Sequence, residues 1–211
     1  MIMNGMDYRK EITLPVEKLS RYALLFLPLI SLGFLLPYFL IWTPEFKQWF
    51  TVITNDTGGI HRWMAFSAYL AKKSPSGLVY FIIGIVLHEL LHGMGWIIFG
   101  RKSFRSLQFG VIWKYLAPYA HCKEPVKVNA YRAGIILPGI AVGIIPGAYG
   151  LITGHLGWVI FGIIFTWGAI ADFIMWWILR RLESNDLVID HPREVGCYVL
   201  TNEDPRSSEL S

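Results

Sequence analysis

The chain has 211 residues, of which 54% are hydrophobic and only 16% charged, with a net charge of +4. A soluble domain carries about 25% charged residues. Composition therefore argues against a soluble enzyme, a disordered chain and a nucleic-acid-binding domain. The pI near 9.1 comes from basic loops beside apolar runs and is not a nucleic-acid footprint.

The first 21 residues are polar and do not read as a secretory signal, because the first apolar run starts only at Tyr22. From there four apolar runs read as membrane spans, about 22–42, 77–99, 133–153 and 156–179. Each has roughly the 20 residues that a hydrocarbon layer of about 30 Å requires. Pro28 and Pro37 predict a kink in the first run. Residues 60–71 read as an interfacial helix carrying Trp63, Phe66 and Tyr69. The insertion 101–131 contains alternating residues, with Leu107, Phe109, Val111, Trp113 and Tyr115 on one parity, which predicts a strand or hairpin. Glycines and prolines crowd the third run, and its link to the fourth at Thr153-Gly154-His155 is short enough for a helical hairpin. The tail 182–211 is polar, with strand candidates at Leu187–Ile189 and Cys197–Leu200. The reading is one α-helical integral membrane domain over residues 1–211, with about four transmembrane helices and a small β-hairpin-like cytoplasmic insertion.

Fifteen of the 19 Lys and Arg fall in residues 1–21, 101–132 and 180–211. The positive-inside rule then puts both termini in the cytoplasm, with the lipid bilayer as partner. Cys122 and Cys197 are the two cysteines; they form no CxxC pair and read as unpaired thiols.

Acidic residues mark the chemistry. Of 15 Asp and Glu, only Glu89 and Asp172 lie within the spans. An ionisable group there is costly unless paired, hydrated or metal-bound, so each is a functional candidate. Glu89 belongs to His88-Glu89-Leu90-Leu91-His92, an H-E-x-x-H motif. On a helix, positions i and i+4 share a face, so both imidazoles can meet one zinc ion. A catalytic zinc keeps one position for water, and Glu89 is placed to act as general base. Asp172, the remaining carboxylate in the spans, is the third-ligand candidate. His92 and Asp172 each lie seven residues from the cytoplasmic end of their run, at about the same depth. His121, in the loop after the alternating segment, is a candidate supporting or oxyanion group. His61, His155 and His191 read as ordinary loop residues. Trp158, Trp167, Trp176 and Trp177 read as lipid contacts and interface anchors.

With these residues in hand, the chain resembles the zincin peptidase family of small bacterial membrane proteins. That family is similar in turn to site-2-protease-type intramembrane zinc metallopeptidases. The matching positions are His88, Glu89, His92, the segment Ala120-His121-Cys122-Lys123-Glu124-Pro125, Arg132, Pro138, Pro146, Asp172, Asp190-His191-Pro192 and Gly196-Cys197. The resemblance implies a bacterial cytoplasmic-membrane protein with a zinc site sunk in a helical bundle. It also implies a third ligand from an Asp on a later span, matched by Asp172, and hydrolysis of peptide bonds in membrane proteins or membrane-proximal peptides. The Asn-Pro-x-x-Asp or Leu-Asp-Gly context of the site-2 class is absent; the residues are Ala169-Ile170-Ala171-Asp172. The alternative reading is a non-catalytic, metal-stabilised membrane scaffold or partner-binding protein. Oligomeric state and substrate identity are not legible in the sequence.

Overall fold

The computed structural model describes residues 2–3, 6–44, 47, 51, 77–113, 117–192 and 194–200. The helix expected over 60–71 lies outside them, as does His61. Helix α1 is Val16–Ile41 and α2 is Gly77–Gly100, about 36 Å long at 1.5 Å per residue. Helix α3 (Val128–Pro138) runs through a π-helical stretch, Gly139–Ile144, into α4 (Ile145–Thr153). Helices α5 (Leu156–Gly168) and α6 (Ile170–Leu179) follow. Three segments, Glu17–Ile41, Gly77–Gly100 and Val128–Thr153, are long and apolar enough to cross a membrane. The fourth expected run is broken at Ala169, where α5 and α6 meet at 48°, and makes a fourth crossing when the pair counts as one.

The break has a packing cause. Gly139, where the π-helical stretch begins, lies so close to the junction that a Cβ there would sit 3.0 Å from the Ala169 methyl and 2.6 Å from the Phe173 ring. The chain bends around this contact, and Gly168 before it has low helix propensity. The expected α4–α5 hairpin is present. Gly154 closes α4 at φ 73°, a left-handed position that suits glycine. Tyr38 of α1 and Trp42 just after it donate to the carbonyls of Gly154 and Leu151, tying the first helix to this turn.

Strands gather at the other end of the bundle. A hairpin of β3 (Leu107–Ile112) and β4 (Ala117–Cys122) forms, with Leu107 opposite Cys122 and Phe109 opposite Ala120. Its first strand lies where the alternation predicts one, while β4 takes residues, His121 among them, that read as a loop. A second, antiparallel sheet has the order β1-β2-β7-β6-β5, from Ile2–Met3, Met6–Leu14, Val195–Leu200, Leu187–Asp190 and Val126–Lys127. Both expected tail strands appear, as β6 and β7. No strand is expected within residues 1–21, yet β2 pairs with β7 from Tyr8–Leu200 to Leu14–Val195. Ile12 and Leu14 of β2 enter one core with Val188, Val199, Trp96, Tyr131, Met175 and Leu179. That core fastens the sheet to the C-terminal ends of α2 and α6 and the N-terminal end of α3.

Candidate metal centre

Helix α2 carries His88 and His92 one turn apart, and α6 carries Asp172 in its first turn. His88 Nε2 lies 3.2 Å from Asp172 Oδ2, and His92 Nε2 lies 3.6 Å from Asp172 Oδ1. One ligand atom from each of the three lies within 4.8 Å of the other two. Ligands about 2.05 Å from a tetrahedral zinc ion are separated by about 3.4 Å, so this spacing fits the ion with small side-chain adjustments. The break at Ala169 also matters here. It leaves Asp172 at a helix N-terminus, where the macrodipole favours negative charge.

The imidazole of His92 is oriented by the backbone. Its Nδ1 is 3.1 Å from the carbonyl oxygen of Gly134. A carbonyl can only accept, so Nδ1 carries the proton and the Nε2 lone pair faces His88 and Asp172. This is the tautomer that nitrogen ligation needs, held as metal-binding histidines usually are. The contact exists because α2 and α3 approach closely. A Cβ on Gly95 would lie 2.5 Å from the Gly134 Cα. No larger residue fits at that crossing without moving the helices apart. Helix α3 steadies α6 as well. The Arg132 guanidinium donates from Nε and Nη2 to the Leu179 carbonyl and from Nη2 to that of Leu182. The Leu179 carbonyl ends the helix that bears Asp172, and Leu182 lies in the turn that follows; a cation there complements the dipole.

The Glu89 carboxyl lies within electrostatic reach of His88 and Asp172 and also faces the Ala120 backbone amide of the hairpin. The hairpin is seated on α2 at Gly93, where a Cβ would lie 2.7 Å from the Phe109 ring and 2.9 Å from the Leu107 side chain. Strand β4 therefore runs beside the H-E-x-x-H turn. The structure does not bring His121 into the three-residue group. Cross-strand partners share a face, so Phe109 and Ala120 lie toward α2, and His121 lies on the other face with Gln108. Its Nδ1 is 3.6 Å from Asp190 Oδ2. Burial, with Lys123 and His191 nearby, holds its pKa below the ordinary histidine value. His155 stands at the N-cap of α5, and His191 Nε2 lies 3.5 Å from Glu11 Oε1.

Two supports of this site carry no sequence signal of their own: the Gly134 carbonyl and the Ala120 amide are backbone groups. Gly95 and Gly134 stand out in the sequence only as glycines in apolar helices, the usual mark of close helix packing.

The residues that meet here, His88, Glu89, His92 and Asp172, all fall inside residues 81–187, which match the profile of a family described as "Putative zincin peptidase". The chain belongs to that family. The matched stretch runs from α2 through the hairpin and the remaining helices to the start of β6. The chain is also similar to a Pyrococcus woesei protein described as "Uncharacterized 24.7 kDa protein in gap 5'region", at 29% identity over 133 residues. That match covers 61% of this chain and spans 58% of the relative's length. No solved structure matches significantly. The family name implies zinc, and the donor set of two imidazoles and a carboxylate suits that ion.

Proposed function

We propose that this chain is a membrane-embedded zinc peptidase acting on membrane proteins or membrane-proximal peptides, with both termini in the cytoplasm. The observation that carries the reading is the meeting of His88, His92 and Asp172 from two separate apolar helices, with their ligand atoms within 4.8 Å of one another. Three such groups gathered inside apolar helices are costly unless they pair with one another or share a cation, and a shared cation uses all three. In this reading His88 and His92 hold the zinc through Nε2, and Asp172 holds it through its carboxylate. Zinc bound there supplies a Lewis acid that acidifies water and polarises a carbonyl oxygen. Glu89 takes a proton from water at the scissile bond and passes it to the leaving amine. The edge of β4 pairs with an extended peptide, as exposed strand edges do. A helical substrate must unwind first, because its carbonyls are otherwise committed to internal hydrogen bonds. Similarity to the site-2 class belongs to this proposal, as does the cytoplasmic side of the sheet.

The test is hydrolysis of a membrane-derived peptide by the purified full chain in detergent. Activity abolished by chelator and by Glu89→Gln, with zinc retained in that variant, supports the reading. Hydrolysis indifferent to both sinks it. Zinc bound with no hydrolysis of any peptide favours the metal-stabilised scaffold.

A further inference from the structure

Asp190, a largely withdrawn carboxylate, has no task in the peptidase reading. Asp190 ends β6, and its side chain is only 10% exposed. Both of its oxygens are engaged. Oδ2 accepts the Cys122 backbone N–H at 2.7 Å, and Oδ1 accepts the Tyr131 hydroxyl through a short hydrogen bond. His121 Nδ1 approaches from β4, and Cys197 stands opposite Asp190 on β7. Asp190 thus ties the five-stranded sheet to the hairpin and to α3.

The tie fixes the direction of a strand edge. In an antiparallel ladder, the backbone groups of alternate residues face the partner strand and those between face away. The Lys123 N–H donates to the Ser106 carbonyl, on the β3 side. The Cys122 N–H goes to Asp190, off that side. Ala120 and Pro118 share the parity of Cys122, so their backbone groups also face the edge away from β3. This agrees with the Glu89 carboxyl facing the Ala120 amide. Pro118 has no N–H, so the Ala120 amide is the edge donor nearest Glu89.

We propose that Asp190 is a positioning residue: it clamps the outer edge of β4 so that the Ala120 amide is presented beside Glu89 to an extended peptide. The inference rests on the peptidase reading. Tyr131, which Asp190 holds by its hydroxyl, stacks on Trp96 at 5.7 Å between ring centroids, and Trp96 stacks on His92 at 5.8 Å. That stack rests on ring contacts and packing, so the His92 side of the site keeps its support when the Asp190 bond is lost. Burial pushes the Asp190 carboxyl up to about 7, which marks how fully it is withdrawn from water.

The test compares wild type, Asp190→Asn and Tyr131→Phe as full chains in detergent. Three quantities are read: zinc content, steady-state hydrolysis of an extended peptide, and amide hydrogen exchange over residues 117–122. Asp190→Asn is expected to raise KM about tenfold, the worth of one charge-assisted hydrogen bond, with kcat changed by less than about twofold. Zinc content stays at the wild-type level, and exchange in β4 becomes faster. Tyr131→Phe keeps the ring stack and is expected to raise KM by a smaller factor. It decides the question where Asp190→Asn does not fold. Unchanged KM and exchange in both variants overturn the proposal. Loss of zinc in step with activity also overturns it, because Asp190 would then support the ligands rather than the strand. Wild-type protein that cleaves no peptide overturns the peptidase reading itself, and the exchange data then report only whether the clamp exists.

Discussion

Asp172 and Asp190 are both withdrawn carboxylates, each near a histidine, and they are built for opposite ends. Asp172 faces the Nε2 atoms of His88 and His92 at 3.2 and 3.6 Å. Imidazole nitrogens can give up a proton and offer a lone pair, so that arrangement can exchange its proton for a cation. Asp190 faces a peptide N–H and a tyrosine hydroxyl. A peptide N–H is only a donor, and a tyrosine hydroxyl keeps its proton below about pH 10, so both stay bound to the carboxylate. The identity of the donors, more than burial, separates a carboxylate that can share a cation from one tied to fixed donors. His121 makes the same point. It is a histidine near a carboxylate, yet it lies on the outer face of the hairpin and belongs to the second group.

The sharpest way to break the comparison is to exchange the consequences. His88→Ala or His92→Ala is expected to weaken zinc binding by more than about a hundredfold, beyond the range for groups that only orient ligands. Asp190→Asn should leave zinc unchanged. Elemental analysis of the purified variants checks both, and equal zinc in all of them would refute the ligand assignment.

A second difference is in pH. The Asp190 carboxyl is raised by burial from its ordinary 3.8 to about 7. Its contribution to stability is therefore complete below about pH 4 and is lost as pH rises to about 7. His121, held below its ordinary value, works with the opposite sign near pH 6.5. Cys122 and Cys197, both raised by burial, stay protonated in this window, while Lys123 and His191 also face His121. Thermal unfolding of wild type and Asp190→Asn from pH 4 to 8 should show the wild type losing Tm relative to the variant until about pH 7. Parallel curves would contradict the clamp's buried state.

The remaining predictions concern α3, which serves both carboxylates. Gly95→Ala places a methyl 2.5 Å from Gly134. It is expected to cost roughly 1–3 kcal/mol and to lower zinc occupancy, since it displaces the carbonyl that orients His92. Full occupancy with unchanged Tm would show that the helices accommodate it. Arg132→Lys keeps the charge but loses the two-pronged contact with Leu179, for an expected cost of about 1 kcal/mol. Arg132→Ala should cost more, and denaturation midpoints of the two variants rank them.

Much of the centre was legible before any fold was known. Charge is expensive in an apolar run, so Glu89 and Asp172 stood out, and the i, i+4 spacing made His88 and His92 neighbours on any helix. The first strand of the hairpin was legible because alternation survives from Leu107 to Val111; the second, Ala117–Cys122, read as a loop because Ala117-Pro118-Tyr119-Ala120-His121 carries no clean alternation. Strand β2 was not, because Met6–Leu14 carries Asp7, Arg9, Lys10 and Glu11, and only Ile12 and Leu14 mark a buried face. It is a strand because the edge of β7 is there to pair with it.

What the sequence determined by itself was therefore local: helical runs of set length, a motif on one face of a turn, and two acidic residues that could not remain alone in apolar surroundings. Tertiary structure decided the rest. It broke the last run at Ala169 against Gly139 and so put Asp172 at a helix start. It brought the Gly134 carbonyl to His92 and set its tautomer, and it sent His121 to the face away from α2. It also buried Asp190 between a strand, a hairpin and a helix. The physical reason is that propensity, periodicity and the cost of an apolar environment act within a few residues along the chain. Hydrogen-bond partners in a packed core come from segments tens of residues apart, and only the close approach of those segments determines which partner each group receives.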